Sequence, residues 1–191
     1  MAPTPARLSG YAQLKPLGQG DLSKLCGLYS VLNAIQLACW RVPLSYEQLS
    51  ELHCDGIRYL TKRRLLARVM AMGMDEDVWQ QLGDHLARRA NELLRTSLIL
   101  VPIASRPMGK FPSSSAALKA LRRAIACDRP VLCGVGGVLD HYTVVAGISA
   151  TRVSLFDSSG FRWIEQRNIG TSEQSGARHW LYGARAVVDD W

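Results

Sequence analysis

Residues 26–35, Cys26-Gly27-Leu28-Tyr29-Ser30-Val31-Leu32-Asn33-Ala34-Ile35, decide the fold class together with the change of pattern beyond Pro130. Leu28, Val31, Leu32, Ile35, Ala38 and Cys39 recur at helical spacing, so a buried helix starts at or just before Cys26 and runs to about Trp40. Ser45 and Gln48 form a capping-box pair that opens a short helix to about His53. Ile57–Met72 and Glu76–Leu94 read as two more amphipathic helices, parted by Gly73 and Asp75. Ser97–Ile103 reads as a buried strand and Arg106–Pro112 as a loop, and Ser113–Ser115 cap a helix to about Cys127. After Pro130 strands take over. Val131–Val135, His141–Ile148, Arg152–Asp157, Phe161–Arg167 and His179–Val188 read as successive strands, with Asp157-Ser158-Ser159-Gly160 as a tight connection. Gly134–Gly137 reads as a flexible turn before the His141 strand. The expectation is an α+β chain, helical half first and antiparallel sheet second, as one domain over residues 1–191. Residues 1–18 form an extended lead-in, and a cleft lies between the two halves.

The chain has 191 residues, 48% hydrophobic and 20% charged, which is globular rather than disordered composition. Its net charge of +7 is concentrated at Lys62-Arg63-Arg64, Arg68, Arg88-Arg89 and Arg122-Arg123, on helical stretches. These are read as solvated helix faces, with docking of an acidic protein partner as the sharper alternative. Basic and stacking aromatic residues are not interleaved, so nucleic acid is not expected as a partner. No apolar run approaches the roughly 20 residues that a transmembrane helix needs. Three prolines (Pro3, Pro5, Pro16) and the lack of an apolar core in residues 1–19 argue against a secretory signal peptide. A cytoplasmic location is expected, with export lacking a cleavable signal left open. Five cysteines (26, 39, 54, 127, 133) form an odd set without tight spacing, as in a reducing compartment; those other than Cys26 are read as buried, inert thiols. No metal-ligand spacing or phosphate-cradling glycine loop occurs, so no metal or cofactor is expected.

Cys26 heads its helix, where unpaired N–H groups and the helix dipole favour negative charge. A nucleophilic thiol also needs a base. Among four histidines, His141 stands at the edge of an apolar strand with Thr143 and Val145 on its face, while His179 is its competitor and His53 and His85 sit on exposed-looking helices. Asp157 ends the next strand, 16 residues beyond His141, so the two side chains can meet across a strand pair and the carboxylate can orient the imidazole. The bland alternative for Asp157 is a turn residue. Gln19, between Gly18 and Gly20, is the candidate oxyanion donor beside the Cys26 N–H. Gly27 is read as leaving room for a substrate carbonyl.

The order Gln19, Cys26-Gly27, His141-Tyr142-Thr143-Val144-Val145, Asp157 resembles the papain-like superfamily of cysteine peptidases. It is most similar to the compact bacterial group that resembles the double-glycine leader peptidases of bacteriocin exporters. The resemblance covers roughly residues 17–36 and 138–160. Gln19 stands seven residues before Cys26 where that family has six, and no exporter segment is present after the sheet. The resemblance implies a papain-like fold and acyl transfer through Cys26, His141, Asp157 and Gln19 but does not choose the substrate, for which a protein or peptide is the expectation. Peptide-bond hydrolysis is the leading expectation. Glutamine deamidation or transglutaminase-like transfer is the alternative on the same triad, and a non-catalytic protein-binding module is the alternative of another class. Residues 55–95 are the first guess for substrate or partner recognition.

Overall fold

The computed structural model describes residues 6–20, 24–103, 111–170, 172 and 175–189. The chain is α+β, with five helices and an eight-stranded sheet among these residues. Helix α1 spans Cys26–Ala38, α2 Tyr46–Lys62, α3 Leu66–Met72, α4 Glu76–Leu94 and α5 Ser114–Ala126. The strands are β1 Ala6–Arg7, β2 Leu98–Pro102, β3 Val131–Gly137, β4 His141–Ile148, β5 Arg152–Phe156, β6 Trp163–Glu165, β7 Ile169–Gly170 and β8 His179–Asp189. The sheet order is β2-β8-β3-β4-β5-β6, with every neighbour antiparallel. Off this path β1 pairs with β4, and β7 runs parallel to β8.

All eight residues of β4 are buried, and α1 and α5 both pack on it. A strand covered on both faces reads as an apolar run rather than an alternation, which is the Tyr142–Ile148 pattern. Helix α1 is equally enclosed: Gly27, Leu28 and Ser30–Leu37 are all buried, with α2 and α4 against its sides. One cluster of apolar residues, from Leu8 to Val187, joins the helices to the sheet.

The helix starts obey their sequence signals. Ser45 accepts the Gln48 N–H while Gln48 reaches back to the Ser45 N–H, and Ser113 caps α5 through the Ala116 N–H. The reading of a break near His53 is corrected, because α2 continues to Lys62. Asp55 is held by Arg58 and Arg89 inside it, and Gly56 lies under Leu28 of α1. The break comes later, at Arg64 with φ of 58°, and α3 begins just beyond it.

Gly134–Gly137 is corrected as well. These residues belong to β3, where the rings of Tyr182 and Trp180 cover the bare faces of Gly134 and Gly136. The turn before His141 begins only after Gly137, whose φ is 88°. The lead-in is not simply extended: Ala6–Arg7 pairs with Gly147 and Ile148, and Ser9–Ala12 forms a 3-10 turn. The expected loop at 106–112 lies mostly outside the described residues. Of the basic side chains, Arg68 pairs with Asp75, Arg89 with Asp55 and Glu92, and Arg122 donates to the Ser149 carbonyl. Among the described residues no helix is long and apolar enough to cross a membrane.

The α1–α2 contact makes a testable demand on Gly56. An alanine Cβ there stands 2.5 Å from Leu28 Cδ1, a side chain with no exposure. Helix propensity favours Gly56→Ala by about 1 kcal/mol, but overpacking a core contact costs about 1–3 kcal/mol. The variant is expected to be less stable than wild type in a urea titration. A stabilised Gly56→Ala would contradict this packing.

Candidate active site

Cys26 is the first residue of α1, and its N-cap, Leu25, offers no side-chain hydrogen bond. The first intrahelical bond runs from the Tyr29 N–H to the Leu25 carbonyl at 3.1 Å. The earlier N–H groups therefore have no acceptor within the helix, and their dipoles gather around the half-buried thiol.

His141 opens β4 one residue after Asp140, whose φ of 41° turns the chain sharply into the strand. Its Nε2 meets Asp157 Oδ2 at 2.8 Å. Strand register produces that contact. Val144 pairs with Phe156, so Asp157 falls one step further along and lies diagonal to His141 on the face that also carries Thr143. Asp157 is also the turn residue of the bland reading, because its Oδ1 accepts the Ser159 N–H at 2.8 Å and the Phe161 N–H at 3.2 Å.

Burial by itself pulls the His141 pKa down, but hydrogen bonding to and charge from Asp157 and Cys26 more than offset it, raising the pKa to about 9. With Nε2 taken by Asp157, Nδ1 is the ring nitrogen left for the thiol. Burial pushes the Asp157 carboxyl up, and the hydrogen bond and positive charge of His141 overcome it, so the net shift is downward. Phe161 stands edge-on to the His141 ring, centroids 5.5 Å apart, with 41% of its surface exposed.

Gln19 reaches the site by a different route. Two buried residues on α1 hold the chain that leads to it. Asn33 accepts the Leu17 N–H at 2.7 Å and donates to the Leu17 carbonyl at 3.3 Å. Gln36 donates to the Lys15 carbonyl at 2.8 Å. Beyond this clamp the Gln19 N–H donates to the Ser158 carbonyl, and Gln19 Nε2 donates to Ser159 Oγ, both at 3.0 Å. Gln19 Oε1 is buried with no partner among the described residues. Turning the amide over preserves the Ser159 contact, since a hydroxyl both donates and accepts, and puts an N–H where the unpaired oxygen stands.

Gln19, Cys26 and His141 line one cleft of about 330 Å³. Its other walls come from Lys24, Asp140, the Met72-Gly73-Met74 segment, Tyr142 and Tyr182. Of the 55–95 region, only that methionine segment reaches it. Gly27 has a different role from the one expected: it is buried, and a Cβ there would stand 3.1 Å from Trp79 and 3.2 Å from the Met74 sulfur. Trp79 in turn stacks on Tyr142 at 4.3 Å and donates to Ser30 Oγ.

His179 pairs with Gly137 on the other side of β3 and does not line the cleft. His53 is half-buried against Tyr29 rather than exposed. All five cysteines are free. Burial pushes Cys39 up to about 11 and Cys133 up to about 12, while Cys54 and Cys127 are exposed, contrary to the expectation of four buried thiols. Among the described residues no cluster of three or more His, Cys, Asp or Glu side chains could hold a metal ion. No protein-family model, curated protein or solved structure matches this chain, so a functional reading has to stand on this geometry.

Asn33, Gln36, Phe161 and the Met72–Met74 wall are not among the residues that the sequence singles out. Asn33 and Gln36 carried a signal, being amide side chains within an otherwise apolar helix, whereas Phe161 and the methionines carried none. Asn33→Leu strips partners from both main-chain groups of Leu17. It is expected to cost about 1–3 kcal/mol in denaturant unfolding and to expose the Leu17 amide to rapid hydrogen exchange; unchanged exchange would refute the clamp.

The His141–Asp157 pair also fixes a pH dependence. His141 is raised above 6.5, so its stabilisation is complete below that value and is lost as pH rises through about 9. Asp157 is lowered below 3.8, so its share is complete above that value and is lost as pH falls through the depressed pKa. Melting temperatures of wild type and Asp157→Asn are therefore expected to differ most between pH 3.8 and 6.5. The difference should narrow above pH 9, and a gap that widens with rising pH would contradict the pairing.

Proposed function

We propose that this chain is a cysteine-nucleophile hydrolase of papain-like fold that cleaves an amide bond, in the first instance a peptide bond, in a protein or peptide. The observation that carries the reading is the 2.8 Å contact of buried Asp157 with His141, which lines the same cleft as Cys26 at a helix N-terminus. A buried imidazole with a raised pKa is set to remain protonated beside a thiol at neutral pH, which is the state a thiolate–imidazolium pair requires.

The chemistry rests on those positions. Cys26 Sγ attacks the substrate carbonyl carbon, and the C–O π electrons move onto the oxygen. The Cys26 N–H and the Gln19 amide, once turned toward the cleft, supply donors for that oxyanion. As the tetrahedral intermediate collapses, the C–N bond breaks and the His141 Nδ1 proton passes to the departing amine, leaving a thioester. Water then attacks the thioester while His141 Nδ1 takes one of its protons, the C–S bond breaks to return the Cys26 thiolate, and the product leaves as a carboxylic acid that gives its remaining proton to solvent. Asp157 holds the imidazole by Nε2 throughout and keeps Nδ1 turned to the sulfur. Phe161 covers one edge of the His141 ring and limits the access of water to that pair.

A substoichiometric iodoacetamide probe at pH 6, read by intact-mass spectrometry, tests the reading. Wild type is expected to carry a single adduct on Cys26, absent in Cys26→Ala and slowed by about 100-fold or more in His141→Ala. Exposed Cys54 and Cys127 serve as internal references. Labelling of Cys26 no faster than theirs would overturn the proposal.

A further inference from the structure

A second hollow, of about 360 Å³, meets the cleft at the Gly18–Gln19 peptide: Gly18 lines one and Gln19 the other. Tyr29, on its wall, lies about one helical turn beyond Cys26. Among the described residues no charged side chain lines it. Leu17, Leu32 and Leu49 give an aliphatic floor, and Tyr29 leans on His53 with ring centroids 5.7 Å apart. Burial lowers the His53 pKa, so this ring is neutral at neutral pH. Tyr46, also lining the hollow, is 81% exposed.

The ridge between the two hollows is unusual in a way that packing does not explain. Neither Gly18 nor Gly20 has a positive φ, so neither needs to be glycine for its backbone. A Cβ at Gly18 would come no closer than 3.8 Å to the Ser158 carbonyl oxygen, and one at Gly20 would meet nothing within 4 Å. Space and conformation both admit a side chain at these positions. What the glycines provide is a bare ridge that a second main chain can cross at close range.

We infer that the hollow is a substrate subsite that takes a bulky aliphatic or aromatic side chain of the polypeptide whose carbonyl reaches Cys26. This rests on the thiol-hydrolase reading and deepens it by naming the residue class selected. The substrate chain crosses the Gly18–Gln19 ridge and lowers one side chain against Tyr29, Leu49 and His53. That side chain stands at one fixed offset, within a few residues of the reacting carbonyl, because an extended chain advances about 3.3–3.6 Å per residue. An uncharged pocket of this kind discriminates by the apolar area it buries, a factor of roughly 10–200 between a filled and an unfilled pocket.

The test is a defined library of synthetic dodecapeptides, scored by mass spectrometry for hydrolysis and for glutamine deamidation. Wild type is compared with Ser50→Arg, which puts a charged side chain over the hollow from an exposed position, and with Gly18→Val, which raises the ridge. Processed peptides are expected to carry Leu, Met, Phe, Tyr or Trp at one offset from the reacting carbonyl. That enrichment should fall by about 10-fold or more in Ser50→Arg, and turnover of all peptides should drop in Gly18→Val. Cys26 labelling at pH 6, run on the same samples, separates the two ideas. If Cys26 labels normally and the peptides are processed without preference, are not processed at all, or keep their preference in Ser50→Arg, the subsite is overturned while the thiol hydrolase stands. If Cys26 in wild type does not label, the underlying reading fails and the subsite falls with it.

Discussion

A carboxylate out of water must be answered by donors, and Asp157, whose side chain has no exposure, is the group around which the rest of this site is arranged. An isolated buried carboxylate would simply take up a proton. Here Ser159 and Phe161 give main-chain N–H groups to one oxygen, and His141 gives Nε2 to the other. Those three donors come from the start of β4 and the turn between β5 and β6. Satisfying the charge therefore fixes the turn, the end of β5 and the start of β4 relative to one another. The imidazole is held because the carboxylate needs it, and the thiol meets an oriented ring as a consequence.

Helix α1 ties this carboxylate turn to the Cys26 thiol. Its N-terminus presents Cys26, and its middle grips the Lys15–Leu17 segment through Gln36 and Asn33. Two residues on, Gln19 is pinned to Ser158 and Ser159, next to Asp157. The segment therefore bridges the helix that bears the thiol and the turn that bears the carboxylate. Every polar contact along it except that from Gln19 Nε2 to Ser159 Oγ satisfies a main-chain group. The geometry of this site and main-chain hydrogen bonding are the same problem here, answered once.

The parts of this arrangement that were legible in the sequence are those with a local cause. Helical spacing from Leu28 to Cys39, the Ser45 and Ser113 caps and the apolar run of β4 each report on their own neighbours, and the elements formed close to where they were read. The meeting of His141 and Asp157 was legible because antiparallel pairing of consecutive strands converts sequence order into proximity. What was missed depends on distant partners. The helix that Ser45 opens reads as ending near His53 until Gly56 is seen packed under Leu28, and Gly134 and Gly136 read as a turn until Tyr182 and Trp180 cover them. Gly27 looked like space for a substrate and proved to be space for Trp79 and Met74. No local pattern announces a glycine whose reason lies more than twenty residues away.

The sheet order carries a consequence for how the chain comes into being. Strand β8 lies between β2 and β3, and its residues, His179–Asp189, are the last of the described ones to be synthesised. Strand β1, made first, must wait for the end of β4. Until residue 189 has left the ribosome, β2 and β3 have no common neighbour and β2 stands apart from the β3-β4-β5-β6 strands. Pairings this distant in sequence close slowly. The His141–Asp157 pair, set by the pairing of β4 with β5, can therefore form before β8 is made, whereas β2 joins the sheet only after residue 189 has emerged.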